Sequence, residues 1–167
     1  MRIFSAVLLS VAMAGAAPAL AQTVTQPLPD PTHIPFTLLD NIPWTGDPAR
    51  GEQQYKIFGD ASKPGPYAFL LKWLPNHFSK PHFHTHSRCV TVLQGHWWVS
   101  SSNVYDPNKT YPLPPGTVAC DMPNTVHWDG AKDETVILEL AGEGPETNNS
   151  VDENGKLIPP GPPPAQK

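Results

Sequence analysis

The chain has 167 residues, a formal net charge of −4 at pH 7, 22 prolines and two cysteines. A mildly acidic sequence with no Lys/Arg run lacks the electrostatic footprint of a nucleic-acid binder or of a protein held on an anionic membrane. Without its first 21 residues, which read as an export signal, about 146 remain, enough for one domain with a modest core.

Arg2 forms a positive start, an apolar run occupies 3–17, and Ala19-Leu20-Ala21 fits the small-x-small cleavage rule. Residues 1–21 therefore predict a cleavable Sec-type signal peptide, with Gln22 as the first mature residue. The run is short for a bilayer anchor, and no twin-Arg pair precedes it. The expected location is periplasmic or secreted, with no membrane contact after cleavage. Residues 22–37 are proline-rich and predict an extended arm, and 38–144 a single compact domain. The proline-dense end of 145–167 predicts a flexible tail.

Within 38–144, helical periodicity is almost absent and short β-rich runs lie between Pro and Gly punctuation. The first is Tyr67-Ala68-Phe69-Leu70-Leu71-Lys72-Trp73. Cys89-Val90-Thr91-Val92-Leu93 follows, and Gln94-Gly95 separates it from His96-Trp97-Trp98-Val99, so Gly95 predicts a turn or kink between paired strands. Thr117-Val118-Ala119-Cys120 is bounded by Pro114-Pro115-Gly116 and Met122-Pro123-Asn124, and the last run is Thr135-Val136-Ile137-Leu138-Glu139-Leu140. This pattern predicts an all-β sandwich or barrel. Trp97 and Trp98 alternate, so one packs inward while the other faces solvent or a partner. Cys89 and Cys120 have three readings: one interstrand disulfide, two separate buried thiols, or a thiolate ligand at Cys89.

Five of the seven histidines fall between positions 77 and 96, concentrated in Lys80-Pro81-His82-Phe83-His84-Thr85-His86-Ser87-Arg88. On a strand, residues i and i+2 share a face, so His82 and His84 can converge on one ion while Phe83 turns away. Imidazole pairs suit Zn, Cu, Fe or Ni and need a third donor from elsewhere. His127, isolated after the turn Pro123-Asn124, supplies it. Continued alternation would bring in His86 as a fourth ligand. His77 and His96 fall outside the set, and Trp128 and Asp129 line the pocket or pack at a strand end. There is no Gly-x-Ser-x-Gly elbow, Cys-x-x-Cys pair or phosphate loop, so any reactivity is assigned to the metal.

The spacing of His82, His84, position 88 and Gly95, followed by Gly116, Pro123 and His127, resembles the two motifs of the cupin superfamily. The segment Gly59-Asp60-Ala61-Ser62-Lys63-Pro64-Gly65-Pro66 is similar to the lead-in of small single-domain bacterial cupins. The likeness covers about 60–144 and implies a single jelly-roll β-barrel, the double-stranded β-helix, with its ligands in the barrel mouth. It also departs from the pattern: the family's glutamate position holds Arg88, which cannot ligate a metal. What remains is a three-His site, a four-His one with His86, or one completed by a Cys89 thiolate, for one divalent ion among Fe, Cu, Zn and Mn. Arg88 then binds an anionic substrate or balances an internal acid. The resemblance implies an oxidoreductase of the metal-dependent dioxygenase type acting on a small oxygen-bearing or aromatic substrate. The alternatives are a metal- or ligand-binding cupin without catalysis, or a zinc or copper cupin acting as hydrolase, isomerase or polysaccharide-cleaving oxidase. It further implies a homodimer formed through the outer strands.

Overall fold

In the computed structural model, which describes residues 29–159, the chain is built from short antiparallel strands and two single-turn 3-10 segments at Leu39–Asn41 and Pro48–Arg50. The export signal of 1–21, the first part of the arm and residues 160–167 lie outside the described residues. Contacts divide the chain into Met1–Thr37 and Leu38–Lys167, and every strand belongs to the second unit. In the first, Asp30 anchors a turn by accepting from the Thr32 backbone N–H at 2.8 Å.

The strands are β1 (Glu52–Phe58), β2 (Gly65–Trp73), β3 (His77–Phe78), β4 (His82–Phe83), β5 (Arg88–Gln94), β6 (Trp97–Ser100), β7 (Tyr111–Leu113), β8 (Val118–Asp121), β9 (Trp128–Ala131), β10 (Val136–Gly144) and β11 (Asn149–Ser150). They form a five-stranded sheet ordered β1-β2-β10-β5-β8, a four-stranded sheet ordered β3-β9-β6-β7, and a β11-β4 pair. Alternation explains which side chains meet. Leu71 and Trp73 from β2, Val90 and Val92 from β5, and Val136, Leu138 and Leu140 from β10 project to one face, where Trp97 and Ala131 of the second sheet join them in one core. Each large aliphatic side chain buried in this way contributes about 1.5–3 kcal/mol. The all-β expectation therefore holds, and the apolar runs at 67–73, 89–93 and 135–140 coincide with the three central strands.

Gly95 does not join paired strands as expected. β5 and β6 lie in different sheets, and the chain crosses between them at Gly95. Its φ is +71°, and a Cβ there would stand 2.4 Å from the Thr135 carbonyl oxygen, so the position excludes a side chain twice over. The cysteines form a disulfide between directly opposed residues of β5 and β8, with Cα atoms 4.0 Å apart. That rules out both separate thiols and a thiolate ligand. Trp97 is the core tryptophan, while Trp98 is half-buried beneath the Lys132 ammonium, 3.7 Å from the ring centre.

Over residues 145–158 the expected flexible tail is corrected, while its end at 160–167 lies outside the described residues. β11 pairs with β4, Val151 is buried, and its N–H donates to the Pro81 carbonyl at 3.0 Å. The Ile158 N–H reaches back to the Ser150 carbonyl at 2.8 Å. Proline density after Leu157 masked a segment whose backbone is paired along the strand that carries His82.

Candidate metal centre

β4 is short, and its partner is what makes the site. His82 and His127 are direct antiparallel bridge partners, each N–H donating to the other's carbonyl at 2.9 Å. The turn that delivers His127 contains Asn124 at φ +58°, a conformation Asn tolerates better than most residues. The Asn124 N–H donates to the His84 carbonyl at 2.8 Å, tying the turn to the first two histidines. The backbone thus brings two distant sequence segments into register before any side chain is considered.

The three imidazoles then converge. Their ring centres are 4.6–5.1 Å apart, and one ring nitrogen from each lies within 4.8 Å of the others. Every Nδ1 faces a backbone carbonyl: His82 that of Lys80 at 2.7 Å, His84 that of Thr147 at 2.6 Å, and His127 that of Thr125 at 3.2 Å. A carbonyl only accepts, so each neutral ring carries its proton on Nδ1 and presents an Nε2 lone pair to the centre. Burial drives the pKa of His82 below the ordinary histidine value. Burial and then the Arg88 charge lower that of His84 to about 4.

This arrangement fits a metal ion. His82 Nε2 and His84 Nε2 face each other at 3.1 Å, and buried His127 Nε2 has no hydrogen-bond partner among the described residues. Lone pairs aimed at one another are unfavourable without a cation to accept them. Donors bound at about 2.0–2.1 Å stand roughly 3.0–3.4 Å apart when adjacent, so the 3.1 Å spacing suits ligation.

His86 does not join. β4 ends at Phe83, a bend follows, and His86 is exposed, with Nδ1 3.2 Å from the Thr85 hydroxyl. The strand ends three residues before His86, and the bend at Thr85 and His86 turns that side chain outward. His77 and His96 also lie elsewhere, His96 with Nδ1 2.7 Å from Glu134.

Arg88 points inward and is 12% exposed, but its charge is already engaged. Its Nε donates to Asp121 Oδ2 at 2.8 Å, and its Nη1 donates to Glu146. Burial opposes the charge, yet Glu146 and Asp121 outweigh it and raise the pKa further. Arg88 balances internal acids, so a free anion receptor is not its arrangement. The Tyr67 hydroxyl donates to the second oxygen of Glu146, and Glu146 Oε1 lies 3.3 Å from His84 Nδ1. Burial and then the Glu146 carboxylate raise the Tyr67 pKa.

Sequence reasoning missed Glu146, Thr147 and Asp121. The first two lie in the supposed tail, and Asp121 gains its role from strand register alone: it pairs with Arg88 across β5 and β8. A cavity of about 560 Å³ opens beside His127 and Asp121, walled by Trp97, Val99, Leu113 and Trp128. Asp129 sits beneath it, buried and accepting from both Trp73 Nε1 at 3.1 Å and Trp97 Nε1 at 2.7 Å.

No family model matches the chain. No curated protein matches it either. Solved structures do. A cupin 2 domain-containing protein from Halorhodospira halophila is 17% identical over 66% of this chain and 77% of its own, with a TM-score of 0.53. A cupin-2 domain protein from Rhodospirillum rubrum is 14% identical over 64% and 69%, with a TM-score of 0.52. A polyketide cyclase from Streptomyces resistomycificus is 17% identical over 64% and 76%, with a TM-score of 0.50. The chain has the cupin fold.

Proposed function

We propose that the protein is an exported metal-dependent oxidoreductase of the dioxygenase type, holding one divalent ion on His82, His84 and His127 and acting on a small oxygen-bearing or aromatic substrate. The observation that carries this reading is the convergence of three unshared Nε2 lone pairs, each fixed by a carbonyl on the opposite ring nitrogen. The ion would supply Lewis acidity and, if redox-active, a path for electrons between substrate and dioxygen.

The chain's own residues do the rest. Trp97, Val99, Leu113 and Trp128 form apolar walls beside His127 that suit a flat ring. Glu146, held by Tyr67 and Arg88, fixes the field around His84. The Cys89–Cys120 disulfide supports an oxidising compartment, in keeping with the signal-like N terminus. In that setting three imidazoles favour copper or zinc over ferrous iron by intrinsic affinity.

The test is oxygen uptake by the mature protein loaded separately with Cu(II), Fe(II), Mn(II) or Zn(II), across catechols and β-diketones. Uptake that depends on metal and is abolished by His127→Ala is expected. Flat traces with every metal, or turnover of these compounds under anaerobic conditions with zinc, would refute the dioxygenase reading.

A further inference from the structure

Position 88 carries a cation where the motif expects a carboxylate, yet a carboxylate still lies beside His127. Asp121 is the cross-strand partner of Arg88, its side chain is 11% exposed, and its Oδ2 lies 3.5 Å from His127 Nε2. Resting on the metal-centre reading above, we propose that Asp121 is the fourth, carboxylate ligand of that centre, supplied by β8 in place of β5.

Geometry carries the argument. His127 Nδ1 faces the Thr125 carbonyl at 3.2 Å, which leaves Nε2 turned towards Asp121 Oδ2 and without a hydrogen-bond partner among the described residues. A ring nitrogen and a carboxylate oxygen placed side by side are two donors that one cation could bridge. The 3.5 Å separation is close to the edge of a coordination polyhedron, about 3.0–3.4 Å for donors bound at 2.0–2.1 Å. Asp121 lies outside the set of donor atoms within 4.8 Å of one another, so its carboxylate must shift inwards from its place beside His127 to share the ion.

Charge and orientation agree. Asp121 and Glu146 place two carboxylates against the single guanidinium of Arg88, and a divalent ion would offset the excess. Arg88 Nε holds Oδ2 at 2.8 Å, fixing the carboxylate plane, while no hydrogen bond engages Oδ1 among the described residues. Arg88 is then a positioning residue: it has taken over the glutamate's place in the sequence and aims another acid at the ion. The register pair immediately beside it, Cys89 with Cys120, is the disulfide, which locks β5 against β8 where this aim is set.

The experiment uses the mature protein titrated with Co(II) and Zn(II) against a chelator of known affinity, with the visible Co(II) spectrum as a second readout. Asp121→Asn keeps an acceptor for Arg88 and the same volume, so the fold is retained while the anionic donor is lost. Removing an outer-sphere partner weakens metal binding about 10–100-fold, so loss of a direct ligand should cost at least about 100-fold, with a shifted Co(II) spectrum. A structure of the Co(II)-loaded wild type should place an Asp121 oxygen about 2.0–2.2 Å from the ion. Wild-type affinity and an unchanged spectrum in Asp121→Asn, or a loaded structure with Asp121 bound to Arg88 alone, would overturn this proposal and leave the three-His reading standing. A wild type that binds neither metal overturns both.

Discussion

Asp129→Ala tests the core beneath the site. The Asp129 carboxylate is 5% exposed and accepts from Trp73 Nε1, Trp97 Nε1 and the Ser79 hydroxyl at 3.1, 2.7 and 3.1 Å. Truncation leaves two buried indole N–H groups without an acceptor, whereas the Ser79 hydroxyl can still reach the Asp129 backbone carbonyl at 3.2 Å. Each orphaned donor costs about 1–3 kcal/mol, so the expected loss is about 2–6 kcal/mol. Asp129→Asn keeps an oxygen for both indoles and exchanges charged acceptors for neutral ones, at about 1 kcal/mol for each bond. Urea unfolding followed by tryptophan fluorescence, with Trp73 and Trp97 as buried reporters, measures both. An alanine variant within about 1 kcal/mol of wild type, or an asparagine variant as damaged as alanine, would refute the network account.

Other outcomes follow from the same structure. His82 and His84 have depressed pKa values in the folded state, so unfolding takes up protons below the ordinary histidine pKa. The metal-free protein should be most stable above about pH 6.5 and lose stability as the pH falls towards 4, by at most about 1.4 kcal/mol per pH unit for each histidine. Stability independent of pH across that window would contradict their neutral burial. Replacing both cysteines by serine opens a loop spanning a sequence separation of 31 and should cost up to about 3.7 kcal/mol in chemical denaturation. Gly95→Ala meets the Thr135 carbonyl and an unfavourable φ, and should lower stability by about 1–3 kcal/mol; a thermal melt equal to wild type would count against the crossover geometry.

What the sequence made legible was local. The i, i+2 spacing of His82 and His84 needs only a strand to become a pair of donors, and His127 followed from a turn with its own chemistry. The apolar runs marked the central strands because buried alternation is written in consecutive residues. The misreadings were nonlocal. His86 kept the alternation on paper, but β4 ends at Phe83 because its pairing with β11 does. Of the two roles open to Arg88, pairing with internal acids is the one the structure shows, but the sequence could not name Glu146 and Asp121, one from a segment read as a tail, the other placed by register alone. Proline content at 159–164 suggested disorder for residues that it does not include.

The central claim is that His82, His84 and His127 hold one divalent metal. Elemental analysis of the exported protein, purified without chelators, measures it most directly. About one ion per chain is expected in the wild type, and a His82→Ala/His127→Ala variant that remains folded by circular dichroism should carry almost none. Full metal content in that variant would contradict the assignment.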